Sequence, residues 1–77
     1  MAMSRKDYEL IASTIAMLKR ATEESLAMPN MAEEIYYLRG QMRAYELITH
    51  QLRWGFAIDN GKFDSTKFER ACGFDYN

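Results

Sequence analysis

From Tyr8 onward, the larger side chains recur in alternating steps of three and four: Tyr8, Ile11, Ile15, Leu18, Thr22 and Leu26. That rhythm holds them on one side of a 3.6-residue helix. Ser4 followed by Asp7 resembles a capping box with Asp in place of the usual Glu, so the first helix is predicted to start there. Pro29 disfavours helical geometry at Met28 and ends it, for a span of about 4–28. A second run, Met31, Ile35, Leu38, Met42, Tyr45, Thr49, Leu52 and Phe56, continues the alternation for about seven turns. Asn30 is its predicted cap, with Glu33 at the reciprocal position, and Asn60-Gly61 its stop, giving a helix over about 31–59. Two helices of similar length with a tight joint imply an antiparallel hairpin.

The closing stretch KFDSTKFERACGFDYN reads as a short third helix over about 65–72. Asp64 is its cap, and Phe63 and Phe68 stand where a hydrophobic staple forms. Gly73 falls where a left-handed residue ends a helix, and Phe74 is placed to fold back onto Phe68. Packing of these aromatics against Trp54, Phe56 and Ile58 is expected. No strand-like alternation interrupts the pattern, so the expected fold is all-α, a single helical domain over residues 1–77.

The second helix has more apolar surface than a hairpin covers. Projected at 100° per residue, Tyr37, Ala44, Ile48 and Gly55 lie on one flank of the main stripe. Tyr36, Gly40, Leu47, Trp54 and Ile58 lie on the other. Only a ridge of Arg39, Arg43, Glu46, His50 and Arg53 is clearly polar. The expectation is a helical-bundle homo-oligomer with Gly40, Ala44, Leu47, Ile48 and Trp54 at the interface. Gly40 and Ala44 are small enough for another helix to approach closely.

Length sharpens this expectation. A 77-residue chain with one cysteine and one histidine has neither an internal disulfide nor a Cys/His zinc site to compensate for a small core. Helix packing or assembly must supply the stability. The composition, 48% hydrophobic and 27% charged, is that of an ordered globular chain. A net charge of −1 argues against a general nucleic-acid binder. No run approaches the ~20 apolar residues of a membrane span. LIASTIAML at 10–18 has the apolarity of a weak signal-peptide core, but Asp7 and Glu9 spoil its lead. Mixed acids and bases disfavour membrane-surface binding. A cytoplasmic protein with a reduced thiol is expected, with Met3 as an alternative start to Met1-Ala2.

Candidate chemistry adds little. Cys72 stands at a helix C-terminus, where the dipole disfavours a thiolate, so it reads as a small buried apolar residue. Glu46 and His50, one turn apart, read as a surface pair rather than an oriented base. Glu23, Glu24, Glu33 and Glu34 cluster at the joint as a solvated acidic turn would. With no nucleophile–base or paired-acid constellation, no enzyme, metal or cofactor is expected. Arg39, Arg43 and Arg53 form the one basic feature, an alternative nucleic-acid contact that Lys19 and Arg20 would extend.

Two segments carry a resemblance. SRKDYELIA at 4–12 and DNGKFDSTKFERACG at 59–73 are similar to the ends of small uncharacterised proteins of tailed bacteriophages and prophages. The shared elements are Phe63-Asp64, Phe68 and Ala71-Cys72-Gly73. The resemblance implies a phage accessory protein acting in the bacterial cytoplasm, with no catalytic residues to carry over. Such proteins commonly act by binding, so the expected function is protein–protein interaction, inhibiting or modulating a host or defence protein. Tyr36, Tyr37, Arg39 and Arg43 are the expected partner contacts, being of the types that dominate interface energetics.

Overall fold

A computed structural model describes residues 3–29 and 31–74. It contains three helices, α1 (Arg5–Ala27), α2 (Ala32–Asp59) and α3 (Ser65–Ala71), all mutually in contact. The molecule is elongated, 45 × 26 × 18 Å, because α1 and α2 form the antiparallel hairpin and α3 packs against both.

The boundaries follow the local chemistry. The Ser4 hydroxyl accepts from the Asp7 backbone N–H at 3.3 Å, and the Asp7 carboxylate accepts the Ser4 N–H at 2.9 Å. This is the reciprocal box expected from sequence. Met28 is extended (φ −87°, ψ 157°), as a residue before proline should be. The start of α2 differs from expectation. Its N-cap is Met31, with no side-chain cap bond, and Asn30 lies outside the described residues.

At the other end of α2, asparagine does the stopping. Asn60 is the extended C-cap, its side-chain oxygen accepts from Lys62 N–H at 3.1 Å, and its carbonyl accepts from Phe63 N–H at 3.0 Å. Among the described residues only Gly73 has positive φ, so Gly61 is not a left-handed cap. Gly73 is (φ 93°). Gly73 N–H donates to the Arg70 carbonyl and Phe74 N–H to the Glu69 carbonyl, both at 3.0 Å, the two bonds of a Schellman end. Asp64 caps α3 as predicted, its carboxylate accepting from Lys67 N–H at 3.0 Å.

The core sits where α3 closes the hairpin. Ala12, Ile15, Phe68, Cys72 and Phe74 are buried there, flanked by Ile11, Tyr45, Leu52, Phe56 and Phe63. Phe56 meets Tyr8, Phe63 and Phe68 with ring centroids 4.9–5.4 Å apart, mostly edge-on, the arrangement that aromatic quadrupoles favour. The staple pair Phe63 and Phe68 lies 5.5 Å apart. Thr49 is wholly buried in the middle of α2, its hydroxyl donating to the Tyr45 carbonyl at 2.8 Å. Thr22 lies across the hairpin with its hydroxyl 3.3 Å from that of Tyr45.

Two expectations fail on packing. Leu18 and Met31, assigned to the inner stripes, are exposed. Trp54 and Ile58 do not pack with the closing aromatics; they are 67% and 70% exposed. Each stands two residues from Phe56, a turn of about 200°, so the rotation that buries Phe56 directs them outward.

Candidate interaction surface

Once the core fixes which side of α2 faces inward, the opposite side shows a pattern of its own. Tyr37, Gly40, Ala44, Leu47, Gln51, Trp54 and Ile58 recur in steps of three and four, and every one of them is exposed. This is a second complete stripe at coiled-coil spacing, and only Gln51 in it is polar. Tyr36 and Ile48 border it and are also exposed. The space over Gly40 and Gly55 is open, with no atom within 4 Å of where a Cβ would stand. The five positions expected at an oligomer interface therefore lie together on one outward face.

Contacts of the expected partner residues are few. Tyr36 and Tyr37 are 83% and 74% exposed and line a shallow hollow with Ala32 and Glu33 near the start of α2. Arg39 is exposed, and Arg43 pairs with Glu46 at 3.4 Å. Arg53 leaves this ridge: its guanidinium pairs with Glu69 of α3, a carboxylate that is nearly buried. That pair is an ion contact without hydrogen-bond alignment at Glu69 Oε1. Lys19 is likewise committed elsewhere. Its ammonium donates to the Gly73 carbonyl at 2.8 Å, lies 5.0 Å from the Phe74 ring centre and pairs with Glu23 at 3.5 Å. Arg43 and Arg53 are thus each paired with an acid, Glu46 and Glu69, while Arg39 is exposed. Sequence periodicity missed the Arg53–Glu69 pair because only the docking of α3 brings those two together.

The remaining groups do not assemble into a reactive centre. Cys72 is fully buried; burial pushes its thiol up to about 11, the nearby Glu69 charge adds to this, and a hydrogen bond with Thr49 opposes it. Near neutral pH it is a protonated, inaccessible thiol. His50 Nε2 lies 4.0 Å from Glu46 Oε1 on the surface. Among the described residues, no group of three or more His, Cys, Asp or Glu side chains is placed to hold a metal. A hollow of about 370 Å³ opens between the start of α1 and α3, where the Tyr8 hydroxyl is buried without a hydrogen-bond partner. Its rim mixes Arg5 and Glu9, paired at 3.2 Å, with Lys62, Asp64 and Lys67, and favours no single ligand charge.

No described helix is long and apolar enough to cross a membrane. The chain matches no family model, no curated protein and no solved structure.

Proposed function

We propose that this chain is a self-associating accessory protein that works by protein–protein contact, with the outward stripe of α2 as its assembly seam. The observation that carries the reading is that stripe, apolar along its length and exposed in the single chain. Tyr37, Leu47, Ile48, Trp54 and Ile58, between 48% and 74% exposed, together hold on the order of 600–700 Å² of accessible surface, close to the ~800 Å² one partner contributes to a standard interface. Tyr36, Arg39 and Arg43 flank the seam and form the edge offered to a host or phage protein. The phage-like ends support an inhibitory or modulating role in the bacterial cytoplasm.

The test is mass in solution across micromolar concentrations, by light scattering or sedimentation. Wild type should exceed the 9.0 kDa of one chain, and Leu47→Glu should return it to that value while keeping its helical circular dichroism. A wild-type mass of one chain throughout would remove the seam. For the partner edge, capture from bacterial lysate with and without nuclease separates two cases. Protein bands that survive nuclease and vanish with Tyr36→Ala/Arg39→Ala support the edge; capture that nuclease abolishes transfers the arginines to nucleic-acid contact.

A further inference from the structure

The seam is uneven along its length. Its first half contains Gly40 and Ala44, with open space above Gly40. Its second half contains Trp54 and Ile58, both largely exposed. Between them, near the middle of α2, stand Leu47 and Gln51. Bulk and hollow thus lie on the same face, separated by roughly 20 Å of helix at 1.5 Å per residue.

A parallel pairing of two such helices would stack like on like. Trp54 would meet Trp54 and hold the backbones apart, so that Gly40 facing Gly40 would leave a void. Packing at interior density tolerates neither. Reversing one helix sets the Trp54–Ile58 half of each copy over the Gly40–Ala44 half of the other. That exchange fills both hollows by one two-fold axis near Leu47–Gln51, an isologous arrangement. It also brings the N-terminal end of each α2 beside the C-terminal end of the other, the favourable alignment of helix dipoles.

We infer that a second copy of this chain occupies the outward face of α2 in antiparallel register, its Trp54 seated on the Gly40–Ala44 segment. The inference rests on the self-association proposed above and adds its geometry. The glycine at position 40 is then a receptor for a bulky side chain, which explains its place inside a helix that its own chain leaves uncrowded there.

Spin labels on introduced cysteines in the full chain, with Cys72→Ala as background, test the register through dipolar distances. Samples carry Arg39→Cys or Asp59→Cys alone, or the two in a mixture. In antiparallel pairing, same-position labels should be about 30 Å apart, from the rise per residue, and the mixed sample should add a shorter distance. Short same-position distances with a long mixed one would overturn the register while leaving association intact. A one-chain mass with no dipolar signal would overturn both the register and the self-association beneath it. As a second arm, Gly40→Leu should weaken association at least tenfold although leucine suits a helix better than glycine. Unchanged or tighter association of Gly40→Leu would remove Trp54 from that segment.

Discussion

The two long helices share an architecture on their inner sides and part company on their outer ones. Facing inward, each presents residues at three-and-four spacing to the same core, α1 through Ile11, Ala12 and Ile15 and α2 through Tyr45, Thr49, Leu52 and Phe56. Facing outward, α1 exposes Leu10 and Met17 among Ser13, Thr14, Arg20 and Glu24, an ordinary dilution of apolar by polar groups. The outward face of α2 has a single polar residue, Gln51, in seven. One inner stripe is what a helix needs to fold into a hairpin. A second stripe contributes nothing to the isolated chain's core; it is the assembly proposed above that would give it a role.

The comparison breaks first on the inner side. Phe56→Ala removes a ring that touches three other aromatics and should cost about 3–4 kcal/mol, enough to unfold much of so small a domain at room temperature. Chemical denaturation followed by circular dichroism measures it. If the loss is below about 1 kcal/mol, the aromatic cluster is not the core.

Next come the two outer faces, tested with the same change. Leu47→Glu should weaken association by about 2–3 kcal/mol, near a hundredfold, because it buries a charge in the seam. Met17→Glu on α1 should leave the mass in solution unaltered. Equal effects would mean that both helices share the interface and that the asymmetry has no consequence.

A smaller effect reads the core through pH. The unfolded Cys72 thiol ionises near its ordinary 9.0, whereas the folded one holds its proton until about 11. Between those values the folded state binds the extra proton, so stability falls as pH rises, by up to ~1.4 kcal/mol per unit, and levels off above the upper value. Below pH 9 this contribution is complete. The difference in unfolding free energy between wild type and Cys72→Ala, followed from pH 8 to 11, should shrink accordingly. A flat difference would place the thiol in water.

The smallest prediction concerns Gly40 within a dissociated chain. With Leu47→Glu as background, Gly40→Ala should raise helix stability by about 1 kcal/mol, since nothing stands near the added methyl. Thermal melts would show it. A loss instead would mean that Gly40 serves the hairpin itself.

Much of this was legible in the sequence, and the reasons are local. The Ser4–Asp7 box, the Met28-Pro29 boundary, the Asp64 cap and the Gly73 end are each decided within a few residues, so their local sequence is enough to reveal them. The start of α2 falls one residue later than Asn30 predicts, because a capping residue type does not guarantee that the helix begins beside it. Burial was harder. The positions Trp54, Phe56 and Ile58 look alike in composition, and only the docking of α3 selects Phe56 and leaves its neighbours outside. The positions of the proposed interface are recognisable in the sequence as surplus apolar surface, but their alignment into one continuous stripe depends on which rotation the core imposes. The Arg53–Glu69 and Lys19–Gly73 links join residues distant in the chain and had no local signal.

The position of α3 has a consequence for how the chain is made. Three of the five buried core residues, Phe68, Cys72 and Phe74, follow residue 67. During synthesis from the N-terminus, the hairpin therefore leaves the ribosome before the residues that seal it. Until they arrive, the inner side of α2 has only α1 for cover, and its outer stripe has none. The arrival of Phe68, Cys72 and Phe74 thus completes the inner side alone and leaves the outer stripe as open as before.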